Sequence, residues 1–236
     1  MNPRKVFIET GKKKTFSGAI EWPGWCRSAR DEESALRALV EYGLRYAQVL
    51  QVKDIKFQVP QDTSDLIVTE QHEGTSTTDF GAPSAILDAD QERMAASEYE
   101  RLLSILQACW IAYDDTAERA IGKELRKGPR GGGRDLNKII AHVLDAERSY
   151  ITRLGWKFKR EPIMNLKEGN IQIRQAILDA LEAAKKGVLP ARGPRGGIIW
   201  PPRYFIRRAA WHILDHAWEI DDRITIQSAG NESNFD

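Results

Sequence analysis

Lys5 to Glu9 and Phe16 to Trp22 alternate apolar and polar residues, as a strand with one buried face does, and Gly11-Lys12-Lys13-Lys14 stands between them. The alternation predicts a hairpin. Beyond the break at Trp22-Pro23-Gly24 the period changes: Leu36, Leu39, Val40, Gly43, Leu44 and Ala47 recur at helical spacing and predict one amphipathic helix over 31–50, packed on the hairpin. Ile55 to Val59 and Leu66 to Val68 read as one or two further short strands, interrupted at Pro60, which has no amide hydrogen for a ladder. The first unit closes near residue 70.

The stretch 71–89 contains EGTSTTDFGAPS and keeps no period, so it reads as a linker or an ordered loop, and 75–83 could cover an open end of the following helices as a lid. From Asp90 onward the apolar residues fall at helical spacing in four long segments, about 90–121, 135–154, 168–187 and 203–224. Gly/Pro/Arg-rich loops separate them. Gly-Pro-Arg-Gly-Gly occurs at 128–132 and again at 193–197, each time ahead of a histidine-bearing helix, which hints at a duplicated helix pair. The expected architecture is α+β: a small α+β domain over 1–70, a linker or lid over 71–89, an antiparallel four-helix bundle over 90–225 and a tail over 226–236.

The 236-residue length fits two small domains, and 42% hydrophobic with 29% charged residues is the balance of a chain that folds. A net charge of +1 removes any global electrostatic argument for nucleic acid or an anionic membrane, both of which need clustered positive charge. Local basic loops exist: Lys123, Arg126, Lys127, Arg130 and Arg134 in one, Arg192, Arg195, Arg203, Arg207 and Arg208 in another. They form either a positive rim for an anionic substrate or arginines that cap carboxylates on neighbouring helices. No aromatic residues interleave with them as a base-stacking platform would require, so nucleic acid is not an expected partner. Cys26 and Cys109 lack a nearby partner and read as reduced core thiols. The N-terminal MNPRKVFIETGKKK is too polar for a secretory signal and no run reaches membrane-spanning length, so the expected location is the cytoplasm.

Candidate chemistry lies in the histidines. His212 and His216 are four apart, on one face of one helix, and His142 stands on the second long helix within IIAHVLDAERSYI. If those helices are neighbours, three imidazoles meet, and three protein ligands leave room for water or substrate on a divalent ion. On a helical wheel His142 and His216 flank their apolar arcs, which also fits boundary histidines paired with Asp145, Asp215 or Glu219. Glu147 projects into the middle of its apolar arc and therefore needs a partner, with Arg207 or Arg208 expected ahead of a role as ligand or general base. Trp211 and Trp218, seven apart, share a face that would meet the first domain.

The strings GGGRDLNKIIAHVLDAERSYITRLG and RYFIRRAAWHILDHAWEIDDRI resemble the DinB-like four-helix-bundle superfamily over about residues 90–225. That resemblance implies a divalent metal, zinc or nickel first among the candidates, on His142, His212 and His216. It further implies a metal-dependent transferase that uses a low-molecular-weight thiol, or a hydrolase, acting on a small molecule, with Glu147 or Glu219 as proton acceptor. FSGAIEWPGWCRSARDEESALRALVEYGLRYA is similar to the HicB-like antitoxin module and implies an accessory or dimerising domain, with a homodimer as one outcome. The alternative is a non-catalytic interaction protein in which the HicB-like domain makes the functional contacts.

Overall fold

A computed structural model describes residues 3–127, 133–158, 165–190, 192–193 and 197–224. It is a mixed α/β structure with a small sheet at its N-terminus. Strand β1 (Arg4–Thr10) turns at Gly11 into β2 (Thr15–Ala19), β3 (Cys26–Ala29) follows, and β4 (Leu66–Glu73) returns to the far side of β1. The sheet order is β3-β2-β1-β4; the first three strands are antiparallel and β4 runs parallel to β1. The predicted hairpin is therefore present, with Val6 opposite Ala19 and Thr10 opposite Thr15.

Several local expectations change. The helix expected over 31–50 is two, α1 (Glu32–Glu41) and α2 (Gly43–Gln51), broken at Tyr42. Asp31 caps α1 through the Ser34 amide at 2.8 Å, and Gly43 packs where a Cβ would come within 3.0 Å of Pro60, so the chain bends at the position that lacks one. Ile55 to Val59 does not join the sheet. Its alternation instead inserts Phe57 among Trp22, Trp25 and Tyr46, with ring centroids 4.9–5.1 Å away. Gly24 turns the chain at φ +94°, where an added Cβ would sit 2.8 Å from Leu214, so the Trp-Pro-Gly turn lies hard against the last helix.

The 71–89 stretch is built into the structure through one carboxylate. Glu9, fully buried, accepts from the Thr78 hydroxyl at 2.5 Å, the Ser84 amide at 2.8 Å and the Ala85 amide at 2.9 Å. That segment includes α3 (Ser76–Phe80), and α4 (Asp88–Gln91) begins at its end. A buried charge is tolerated only with such partners, and the satisfied carboxylate fastens the stretch to β1. The helix expected from residue 90 starts later, as α5 (Ala96–Arg119).

Then come α6 (Leu136–Ile151), α7 (Leu166–Lys185) and α8 (Pro202–Arg223), close to the limits the periodicity predicts. Asp135 and Asn165 cap α6 and α7, accepting from the Lys138 and Glu168 amides at 2.9 Å, and Pro202 occupies the first turn of α8. α8 packs along α5 and against α6, and α6 packs on α7. One buried cluster runs from Val6, Trp25 and Tyr46 through Leu102, Ile139 and Ile177 to Phe205, so sheet and helices share a continuous core. The expected tail, the first Gly-Pro-Arg-Gly-Gly copy, most of the second, and Arg130 and Arg195 lie outside the described residues. Among the described residues, no helix is long and apolar enough to cross a membrane.

Candidate metal centre

α8 is covered on several sides at once, and this decides the state of its histidines. Trp211 meets Phe16 of β2 edge-on at 5.9 Å, and Trp218 meets Tyr42 at 4.9 Å, so the tryptophan pair faces the N-terminal elements as its spacing predicted. With α5 and α6 also against it, α8 leaves His212 and His216 only 7% and 8% exposed. The helical wheel had placed His216 at the flank of its core. The His142 ring of α6, 4.9 Å from His216 and invisible to a single-helix wheel, covers that flank. His142, on the less covered α6, stays half-buried as expected.

The three imidazoles converge. His142 Nε2 and His212 Nε2 stand 3.3 Å apart, the three ring centroids are 4.7–5.2 Å from one another, and one nitrogen from each ring falls within 4.8 Å of the other two. Two imidazole nitrogens that ligate one tetrahedral ion at about 2.0–2.1 Å are separated by roughly 3.3–3.4 Å, so the His142–His212 spacing fits a shared ion, with the His216 nitrogen within 4.8 Å of both. No other group of three potential ligands lies this close among the described residues.

Electrostatics keep lone pairs available there. Burial holds the His212 imidazole well below its ordinary pKa, and the neighbouring His216, His142, Arg208 and Arg134 push the same way. Burial, His216 and Arg134 also lower His142, with Glu219 and Asp145 opposing. Neutral imidazole is the form that binds a metal. His216 Nδ1 is 2.8 Å from Glu219 Oε2, which leaves Nε2 free to face the cluster. Glu219 in turn accepts from Arg223 at 2.6 Å, and the His216 contact holds its carboxyl below the usual range. Such a carboxylate behind a histidine fixes ring orientation and tautomer in metal sites. His212 Nδ1, by contrast, is buried without a hydrogen-bond partner.

Compared with family models, with curated proteins and with solved structures, this chain matches none. The geometry must therefore speak for itself.

Around the cluster stand aromatic rings: Tyr150 lies 5.8 Å and Trp211 6.0 Å from His212, and Trp200 packs on Tyr150 at 5.3 Å. The Arg208 guanidinium sits 4.8 Å from the Trp211 ring and 5.7 Å from Tyr150, while donating to the Pro83 carbonyl at 2.5 Å. Of the second basic group, Arg203, Arg207 and Arg208 lie on α8 and are buried, while Arg192 is exposed. Arg203 binds Glu98, and Arg207 binds buried Asp90 at 2.5 Å, so these arginines cap carboxylates and form no solvated rim. Asp145 and Asp215, considered as histidine partners, bind Arg148 and Arg27. His72, the fourth histidine, pairs with Glu70 on β4.

Glu147 lies elsewhere. Its carboxyl accepts from the Trp110 indole at 2.7 Å and faces Arg174 of α7, in place of the expected ion pair with Arg207 or Arg208. Burial pushes its pKa up to about 7 against both influences. Trp110 was missed from sequence because nothing in the local spacing on α6 points to an indole on α5. The Arg223 tether of Glu219 was missed too, although the i,i+4 spacing from Glu219 makes it readable on one helix.

Proposed function

We propose that this chain is a DinB-like metalloprotein whose long helices form an antiparallel four-helix bundle, with His142, His212 and His216 holding one divalent ion, zinc or nickel. The observation that carries this reading is the convergence of three imidazole nitrogens within 4.8 Å at the α6/α8 contact, in surroundings that favour the neutral form of His142 and His212. The donor set is all nitrogen, which suits borderline ions over magnesium or calcium. An ion held by three protein ligands supplies an acidified water or low-molecular-weight thiol to an electrophilic small molecule.

The chain's own residues have distinct parts in this reading. His142, at the half-buried edge, borders the approach from solvent, and His212 supplies the deep wall. Glu219 orients His216 through Nδ1 and is the carboxylate nearest the cluster that a released proton could reach. Tyr150, Trp200 and Trp211 keep water away from the rear of the site. The strand-turn-strand-helix order of the first residues supports a HicB-like accessory module.

The test is elemental analysis of protein purified without a metal-affinity tag, then loaded with zinc or nickel and dialysed. The expected result is about one ion per chain, lost in His142→Ala and His212→Ala. A folded, unmutated protein that retains less than about a tenth of an ion overturns the metal reading and leaves the non-catalytic interaction protein in its place.

A further inference from the structure

About 200° around α6 from His142, Ile140 faces a different space. Between α5, α6 and the start of α7 lies a cavity of about 310 Å³, lined by Tyr113, Ala117, Ile121, Ile140, Asn170 and Ile171 among others. Its rim is unusually apolar for a surface, since Ile121 is 70% and Ile171 63% exposed. Its base is polar: Tyr113 is 1% exposed and Asn170 8%, and neither the Tyr113 hydroxyl nor Asn170 Oδ1 has a hydrogen-bond partner. Buried polar atoms in folded proteins nearly always have one. Arg174, in the same wall, already gives two hydrogen bonds to Asp114 at 2.5 and 2.9 Å, and Glu118 and Lys167 add one charge of each sign to the lining.

The geometry points to a second binding site, independent of the histidine cluster, for a neutral amphipathic small molecule that carries one hydroxyl. Its apolar body would lie against Ala117, Ile121, Ile140 and Ile171, while the hydroxyl would accept from Tyr113 and donate to Asn170 Oδ1, satisfying both buried atoms. A charged head is disfavoured because the charges around the cavity balance, Asp114 and Glu118 against Lys167 and Arg174, and the partnerless atoms at the base are a hydroxyl and an amide oxygen. The volume stands at the small end of ligand pockets, suited to a molecule of about ten non-hydrogen atoms.

The experiment is an amide NMR titration of the isotope-labelled full chain with para-ethylphenol and, separately, with ethylbenzene. The expected result is that para-ethylphenol shifts amides of residues 113–121, 137–140 and 166–174 at millimolar concentration and binds about fivefold more tightly than ethylbenzene, the difference one hydrogen bond makes. Tyr113→Phe, which keeps the ring and leaves Asn170 Oδ1 as the remaining partner, should reduce that difference with the fold intact by thermal melting. Ala117→Leu, which grows into the cavity, should block both probes. No shift at these amides overturns the site; equal affinity of the two probes in the unmutated protein, or an undiminished difference in Tyr113→Phe, overturns the hydroxyl recognition. The metal content of the protein does not enter either outcome.

Discussion

Helix α6 buries polar chemistry on two sides, and the two sides are built differently. Towards α8, His142 meets two other imidazoles, and nitrogens approach one another at 3.3 Å with only Glu219 behind one of them. Towards α5 and α7, one oxygen of Glu147 accepts from an indole and the other has no hydrogen-bond partner, with the charge of Arg174 acting on the carboxyl without a hydrogen bond to it. The Glu147 side is a lone carboxyl whose burial favours its neutral form. The histidine side gathers three like rings, and the Nε2 atoms of His142 and His212 stand where they share a proton or, once both are unprotonated at Nε2, flank a cation. The contrast separates a buried group that the fold tolerates from a set that it aims at something.

The largest effect expected is at His212. Alanine there removes the deep ligand and should lower zinc affinity by more than about 100-fold, because loss of a ligand's carboxylate partner alone costs about 10–100-fold. Competition against a chromophoric chelator measures it. If His212→Ala binds zinc as the unmutated protein does, the two sides of α6 do not differ as described.

Glu147→Gln probes the other side. A carboxyl whose folded pKa is raised from 4.5 to about 7 contributes stability that is full below its ordinary pKa and declines as pH rises through the folded value. The unmutated protein should therefore lose about 3 kcal/mol between pH ~4.5 and ~7 from this group, at roughly 1.4 kcal/mol per unit. The glutamine variant should lack that decline and be the more stable protein above pH ~7. Denaturant melts across this range decide it, and a variant less stable than the parent at the alkaline end would mean that Glu147 is a paired carboxylate.

Glu219→Gln sharpens the comparison by a smaller step. It keeps an acceptor near His216 Nδ1 but removes the charge, and should weaken zinc binding by about tenfold with little change in melting temperature of the metal-free protein. The smallest effect belongs to Trp110→Phe, about 1 kcal/mol of stability for the lost hydrogen bond, together with a displacement of the Glu147-dependent decline to higher pH. An unmoved decline would show that the indole does not govern that carboxyl.

Legibility from sequence follows the same division between local and long-range causes. The hairpin could be read because short apolar-rich runs, Val6 to Ile8 and Phe16 to Ala19, flank the Gly11–Lys14 turn, but β1 from Val6 to Glu9 and the whole of β2 are buried on both faces where one buried face was expected. α6, α7 and α8 could be read because each carries its own apolar period and, in α6 and α7, its own cap. β3 has no signal in the pattern, since Cys-Arg-Ser-Ala shows no alternation, and was expected only through the HicB-like strand-turn-strand-helix resemblance; β4 was read short because half-buried Glu70 and His72 continue the strand's inward face with polar residues. The segment at Ile55–Val59 has a strand's alternation but no strand to pair with; its pattern serves aromatic packing at Phe57. In the site, the i,i+4 pair and the partner helix were visible as spacing. The full burial of His216, the indole on Glu147 and the inward turn of Arg203 and Arg207 depend on elements distant in sequence, and no periodicity within α6 or α8 encodes them.

The central claim is that three imidazoles of α6 and α8 hold one ion, and X-ray absorption at the zinc edge of the loaded protein tests it most directly. The prediction is a first shell with three nitrogen scatterers of imidazole character at about 2.0–2.1 Å and one lighter-atom position open to exchange. A shell of oxygen atoms alone, or one unchanged by His142→Ala, would contradict it.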